Sequence, residues 1–600
     1  MKLINKTYKM YDYIIISYKI SKINTIGMAF LKILSACLAS IMVLVTSSFI
    51  NNLISQNSIK NIKLNFLALL ITIGLNWLTN AIYKFIHLKL SLKINETLTI
   101  TFTEKKGALA YSYIENPETW ELMERIGDDP SERWIKGINN ILDLLVFVIQ
   151  ALGLLIIIGS KNYIIAIIIL ALLIPFFFIS IKNGQEDYDA FETSSEYFRR
   201  AKYFRKLISS RDNFEERTLF QYNEFINRKW SDQFLKAIKV EMLANRKIFS
   251  RVHIGNIGIL LITSLITFIL VIPVKQGEMS TGLFIALIKG ITSFITSISW
   301  KFALVMMELE KSRLYLKDVT AFSQLNEEQG ITNLTASMGQ EETLNSIEFI
   351  NVSFCYPGTN KKILDNFTVI LDGLKKYAFV GLNGAGKTTI IKLLTGLYDN
   401  YTGIILINQK DIRDIEKPKL KAYFSIVYQD FARYEISIRE NIILSYYGKG
   451  LFKEASNIQL ETIMKNLGMD NLLINLKNGI DTKVGKLEEG SIDLSGGEWQ
   501  KIAILRSLVN NAPIYILDEP TAALDPVSEY ELYKIFYEII KEKFAIFITH
   551  RLGAARIADE IIVINNGTIE EQGSHLELMK KNGLYASMFE TQRSWYNEGN

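Results

Sequence analysis

Three short stretches of this sequence carry residue types that could handle a polyphosphate. Gly381, Leu382, Asn383, Gly384, Ala385, Gly386, Lys387 and Thr388 fit the pattern GxxxxGK[ST], with Thr389 next in line. In such a loop the glycines let backbone N–H groups curl around the phosphates. Lys387 meets the β- and γ-phosphates, and the Thr388 hydroxyl ligates Mg²⁺. Further on, Asp518 and Glu519 form an acidic pair directly after the apolar run Ile514 to Leu517. A carboxylate at the end of a buried parallel strand can hold Mg²⁺, and its neighbour can polarise an attacking water. Between these two lies Leu494, Ser495, Gly496, Gly497 and Glu498, whose serine and glycines suit a turn into a helix.

The elements that must position these groups alternate between strand and helix. Tyr377 to Val380 reads as a short strand running into the glycine-rich loop, and Thr389 to Leu394 as the helix after it. Ser346 to Tyr356 reads as an edge strand. Tyr423 to Tyr428 reads as a strand before Gln429, and Phe544 to Thr549 as one ending at His550. A helical insert is expected over 451–478, and a helix from Trp499 to Asn510. This pattern predicts an α/β P-loop nucleotide-hydrolase domain with a helical subdomain over residues 346–600.

The first half of the chain is different. Apolar runs at 28–50, 66–86, 141–159, 163–181, 254–273 and 282–307 each approach the roughly 20 residues that a bilayer requires. Six spans are therefore expected in an α-helical transmembrane domain over 28–310, followed by a linker over 311–345. Residues 1–27 carry five lysines around Ile14, Ile15 and Ile16 and are expected to form an interfacial segment. The connection 183–252 carries fourteen Lys and Arg residues, whereas the turns at 160–162 and 274–281 are short and nearly uncharged. Both long connections, both termini and the nucleotide domain are thus placed on the cytoplasmic side. The long connections have helical composition and are expected to extend the spans into the cytoplasm. Each turns back through a short helix, the first near Tyr111, Tyr113, Glu115, Pro117 and Trp120. On the sixth span Lys289, Ser293, Thr296 and Trp300 share one helical face. A lysine there either lines a substrate chamber, favouring an anionic group, or serves as a snorkelling or packing contact.

Composition excludes other classes. The net charge of +5 over 600 residues, without a basic stripe interleaved with aromatics, argues against nucleic-acid binding. The cysteines Cys37 and Cys355 are isolated and fit a reducing compartment, and the four histidines do not pair with them at metal spacing.

Taken in register, Tyr356, residues 381–388, Gln429, 494–498, Asp518–Glu519, Asp525 and His550 cover the whole second half, and this order resembles that of ATP-binding-cassette proteins. The architecture resembles an ABC exporter half-transporter. That resemblance implies adenine stacking by Tyr356 and a Q-loop role for Gln429, at the metal and the attacking water. It implies a signature motif in which Ser495, Gly496 and Gly497 complete the ATP site of a second subunit. It also implies a D-loop aspartate at Asp525 and a γ-phosphate switch at His550. Asp518 takes the metal role and Glu519 the catalytic one, with ATP and Mg²⁺ as substrate and cofactor. The Q-loop neighbourhood, YQDFARYEISIRENI, looks like the cassettes of bacterial peptide exporters of the lantibiotic and bacteriocin branch. The implied function is ATP-driven peptide export across a bacterial-type cytoplasmic membrane by a dimer, a homodimer being the simplest assembly and a heterodimer the alternative. A lipid or multidrug flippase is the second reading, and a membrane-tethered ATP-hydrolysing regulator the third. With the first span so near Met1, any leader cleavage is expected from another protein. One departure stands out: Glu498 occupies the place where the family usually has glutamine, bringing a carboxylate near the nucleotide interface.

Overall fold

The computed structural model describes residues 3–597 except 56–57, 128, 161–162, 211–212, 278, 298–301, 329–342, 448–456, 470–471, 473–475, 477, 510–511, 520–532, 539 and 542. The chain divides into two compact units. One comprises Met1–Gly107 with Glu118–Leu325, and the other Ala108–Pro117 with Asn326–Asn600.

The first unit is helical. Its long helices are Lys22–Ile54, Ile59–Gly107, Pro130–Gly159, Tyr163–Ser209 and Asn223–Lys275, followed by the shorter Thr281–Ser297 and Ala303–Gln324. The helix Ile59–Gly107 has 49 residues, about 74 Å of rise and more than twice the roughly 30 Å of a hydrocarbon core. The spans thus continue without a break into polar sequence. Among the described residues, three helices are long and apolar enough to cross a membrane: Lys22–Ile54, Ile59–Gly107 and Pro130–Gly159. Their outward faces are apolar, with Trp77 73% and Ile156 71% exposed. In water such surface would be costly, whereas against acyl chains it is solvated.

Local chemistry sets the ends and crossings of these helices. Asp129 caps Pro130–Gly159 by accepting from the Ser131 and Glu132 amides, and Pro130 occupies the first turn. The N-terminal helix Met10–Ile20 buries Tyr13, whose ring centroid lies 4.7 Å from that of Trp134. The Tyr13 hydroxyl donates to the Ser312 carbonyl at 2.9 Å. A Cβ at Gly137 would come within 2.5 Å of the Tyr13 ring, so only glycine allows this approach. Ile14 and Ile15 face outward on the same helix.

The second unit contains two sheets. Strands β1 (Ser346–Cys355), β2 (Lys362–Asp372), β4 (Thr402–Ile407) and β5 (Lys410–Asp411) form an antiparallel sheet in the order β2-β1-β4-β5. The larger sheet has the order β10-β9-β3-β8-β7-β6. It uses β3 (Lys376–Val380), β6 (Phe424–Val427), β7 (Ile514–Asp518), β8 (Phe544–Ile548), β9 (Glu560–Asn565) and β10 (Thr568–Gly573). Strands β6, β7, β8, β3 and β9 are parallel, and β10 closes the edge antiparallel to β9. Every residue of β3, β7 and β8 is buried, the mark of parallel strands covered on both faces. Helix Lys387–Leu394 packs Ile390, Ile391 and Leu394 into one core cluster, and helix Gly496–Val509 packs Trp499, Ile502 and Leu505 into another.

Candidate nucleotide site

The parallel ladder decides where the chemistry lies. Phe379 of β3 pairs with Ile548 of β8, Ile548 with Asp518 of β7, and Leu517 with Val427 of β6. The carboxyl ends of four neighbouring strands therefore deliver Gly381, His550, Asp518 with Glu519, and Gln429 to one edge of the sheet. Ligands of open α/β sheets bind at such an edge.

The glycine-rich loop leaves β3 with positive φ at Gly381, Gly384 and Gly386. At Gly381 a Cβ would lie 2.1 Å from the Ile564 carbonyl oxygen, so the turn excludes any side chain. Asn383 and Gly384 are exposed at the tip, while Ala385, Gly386 and Thr389 are buried. The helix starting at Lys387 directs its first amides and its positive end towards the same space. Lys387 is buried and folds over its own loop, donating to the carbonyls of Gly381 at 2.9 Å and Leu382 at 3.1 Å. Burial pulls its pKa below the ordinary lysine value.

Opposite the loop, the Thr388 hydroxyl donates to Asp518 at 3.4 Å. Asp518 is 1% exposed, and burial pushes its pKa up to about 6, with the neighbouring Glu519 charge adding to the shift. A nearly dry carboxylate with, among the described residues, one long side-chain hydrogen bond is ready for a cation, and its convergence with a threonine hydroxyl fits Mg²⁺ completed by phosphate oxygens. Glu519 sits just beyond the strand at φ 46, a left-handed conformation that costs a non-glycine residue energy, and its amide bonds the Ile548 carbonyl at 3.0 Å. Its carboxylate pairs with Nε2 of His550. Gln429 is exposed in the turn after β6.

Tyr356 is half-buried. Its hydroxyl shares a hydrogen bond of 3.0 Å with the Thr389 hydroxyl, joining it to the helix behind the phosphate loop. Phe354 and Tyr398 meet its ring edge-on at 5.1 and 5.6 Å. Ser495, Gly496 and Gly497 stand at the start of helix Gly496–Val509, and among the described residues no hydrogen bond links Ser495 to the loop 381–389. Glu498 turns back on Ser495: Oε2 accepts from the Ser495 amide and hydroxyl, each at 2.8 Å. This is a capping box, repeated at Ser437 with Glu440 and at Ser574 with Glu577. The carboxylate that departs from the family pattern is thus engaged in starting its own helix. Asp525 lies outside the described residues, as does Trp300. Ser293 and Thr296 fall in a described helix, but their side chains lie outside the description.

Two residues that chain order did not single out bear on the site. Arg506 on the signature helix donates to the carbonyls of Ala432 at 2.7 Å and Asn441 at 3.1 Å, tying the segment after Gln429 to that helix. Lys392, one turn beyond Thr388, bonds Glu115 at 2.8 Å and lies 5.4 Å from the Tyr356 ring centroid. A basic residue in the last turn of each helix was the only sequence signal.

Fold and site together define a P-loop ATPase joined to a helical membrane-type domain. Residues 364–522 match the ABC transporter family. The subtilin transport ATP-binding protein of Bacillus subtilis is 29% identical over 93% of this chain and 90% of its own length. An ATP-dependent lipid A-core flippase of Colwellia psychrerythraea is 31% identical over 60% of each. A bacterial Atm1-family ABC exporter solved with ATP bound superposes with a TM-score of 0.77 at 22% identity, covering 95% of this chain and 98% of that one. The chain thus carries an ABC transporter ATPase domain at residues 364–522 behind a helical domain, and its fold is that of an ABC exporter half-transporter.

Proposed function

We propose that this chain is one half of a homodimeric exporter that couples ATP hydrolysis to outward movement of a peptide across a bacterial cytoplasmic membrane. The reaction is ATP + H₂O to ADP + phosphate. Lys387 leaves the loop carbonyls for the β- and γ-phosphates, and the amides of 383–389 bind the phosphate oxygens. Thr388, Asp518 and Gln429 would hold Mg²⁺, which neutralises charge on the phosphates when bound. Glu519 accepts the proton of the attacking water, and His550, already paired with it, orients that carboxylate and reaches the γ-phosphate. Tyr356 stacks on the adenine. Ser495, Gly496, Gly497 and Asp525 serve the nucleotide of the second subunit, so that ATP closes two cassettes on each other and hydrolysis parts them. Catalysis of this kind is mostly positioning and charge stabilisation.

The observation that carries the ATPase reading is the gathering of Gly381, Gln429, Asp518, Glu519 and His550 at adjacent strand ends. Peptide as cargo is supported by a relative named for subtilin transport that spans nearly the whole chain. A lipid substrate is the second reading, favoured by the lipid A-core flippase relative. The deciding experiment uses Glu519→Gln in proteoliposomes. ATP binding is expected to persist while hydrolysis and peptide accumulation fall together by a hundredfold or more, the scale for losing a general base. Hydrolysis near the wild-type rate would place the base elsewhere, and accumulation of labelled lipid but no peptide would favour the second reading.

A further inference from the structure

The helical unit holds a half-open cavity of about 930 Å³ bordered by helices Lys22–Ile54, Ile59–Gly107, Pro130–Gly159, Thr281–Ser297 and Ala303–Gln324. That is at the upper end of what small-ligand sites occupy. Its lining is mixed: amides of Asn76, Asn80 and Gln150 and the Thr72 hydroxyl alternate with Met42 and Phe147. Among the described residues three charged side chains reach it, and two of them cancel. Lys32 pairs with Asp143, its ammonium also lying 4.7 Å over the Tyr83 ring centroid. The third, Lys289, has no carboxylate within ion-pair reach among the described residues. Among the described residues the cavity therefore carries one uncompensated positive charge, in a setting where an unpaired lysine is expensive.

Two ordinary explanations fit poorly. A lysine that only packs between helices would be sealed, yet Lys289 is exposed on the cavity side of its helix. A snorkelling lysine would reach the helix end, but Lys289 lies eight residues past Thr281, about 12 Å along the axis, and its stem spans only roughly 6 Å.

We propose that this cavity receives the exported peptide and that Lys289 takes a carboxylate of it, terminal or side-chain, while the amides of Asn76, Asn80 and Gln150 hydrogen-bond its backbone. The proposal rests on the peptide-export reading above. A lysine also suits a lipid phosphate, but amide side chains that both donate and accept match peptide bonds better than acyl chains. The Lys32–Asp143 pair carries no net charge, so among the described residues the selecting charge is the ammonium of Lys289.

The test uses full-length protein in phosphatidylcholine proteoliposomes and two synthetic 20-residue amphipathic peptides. They differ only in the C-terminus, a free carboxylate as the sole acid or an amide. The ratio of their half-stimulating concentrations for ATP hydrolysis is read within each variant, so that losses of folded protein cancel. In the wild type the acid form is expected to act at about tenfold lower concentration, the scale of one charge-assisted hydrogen bond. Lys289→Leu, or Lys289→Gln if the leucine variant does not reach the membrane, brings the ratio within twofold, and Lys289→Arg restores it. A ratio near one in the wild type, with both peptides accumulated, overturns the carboxylate site and leaves peptide export standing. So does a tenfold ratio kept in Lys289→Leu. Stimulation by phosphatidylglycerol vesicles with neither peptide accumulated overturns both.

Discussion

The segment Ala108–Pro117 offers a quantitative test, because several of its contacts within the second unit can be weighed one by one. Leu109 is buried, the Ala110 amide bonds the Asn326 carbonyl at 3.2 Å, and the Glu328 amide bonds the Ala108 carbonyl at 2.8 Å. Glu115 then accepts from Lys392 at 2.8 Å and from the Tyr111 hydroxyl at 2.8 Å. The Tyr111 ring meets Tyr398 edge-on at 5.6 Å. Burial alone would lower the Lys392 pKa, but the Glu115 carboxylate and the Tyr356 and Tyr111 rings hold it above the ordinary value. The ion pair is 20% and 36% exposed on its two sides. Its worth should therefore fall between an exposed pair and a buried charged hydrogen bond, about 1–2 kcal/mol. Glu115→Ala loses this bond and the tyrosine bond, about 2 kcal/mol in all, or roughly 30-fold in the opening equilibrium. Amide hydrogen exchange at Ala110 is the assay, with the β3 amides as internal reference. Protection at Ala110 should fall about 10- to 30-fold while β3 stays unchanged. In a double-mutant cycle with Lys392→Met the coupling should reach about 1 kcal/mol. Protection within twofold of wild type, or additivity within about 0.3 kcal/mol, would refute the idea that this ion pair holds the segment.

Other expectations follow from the site. Asp518 has its pKa raised from 3.8 to about 6 by burial, so the nucleotide-free protein is favoured by protonation. That contribution, about 3 kcal/mol for a shift of this size, is fully present below about pH 4 and is lost as pH rises through about 6. Urea unfolding of wild type and Asp518→Asn between pH 4 and 7.5 should show this slope in the wild type only; equal slopes would assign the proton elsewhere. Because Mg²⁺ competes with that proton, affinity for Mg·ATP should weaken as pH falls below about 6, and titration calorimetry should detect proton release that Asp518→Asn lacks. Glu498→Ala removes both bonds to Ser495 and should cost about 0.5–2 kcal/mol at the start of the signature helix. Thermal unfolding should register a loss of a few degrees, with Glu498→Gln losing less than half of it. An equal loss in both would mean that an uncharged side-chain oxygen does not hold this cap and that the carboxylate charge is required.

Residues whose chemistry is local could be recognised from chain order alone. The phosphate loop is legible because glycine spacing, a lysine and a threonine act within eight consecutive positions. Asp518 and Glu519 are legible because the apolar strand ahead of them fixes where they emerge. The cap formed by Ser495 and Glu498 is equally local, a serine three residues before a glutamate. Arg506 and Lys392 were not legible. Their partners, Ala432, Asn441 and Glu115, lie far off in sequence, and nothing in a basic residue on a helix says which carbonyl or carboxylate the fold will bring to it. The left-handed backbone of Glu519 was hidden for the same reason, since its amide meets the Ile548 carbonyl of the neighbouring strand. The long helices were legible in kind, but the extent of Ile59–Gly107 depends on packing that composition does not record.

The backbone passes between the two compact units three times, after Gly107, after Pro117 and after Leu325. Ten residues numbered among the membrane helices thus belong physically to the ATPase. A hybrid transporter made by joining this membrane portion to a foreign cassette at residue 326 would carry a mismatched component: residues 108–117 of this chain, with Tyr111 and Glu115, against a surface lacking Tyr398 and Lys392. Recombination that preserves function must exchange two separate stretches together, so the module that inheritance or engineering can move is discontinuous in the gene.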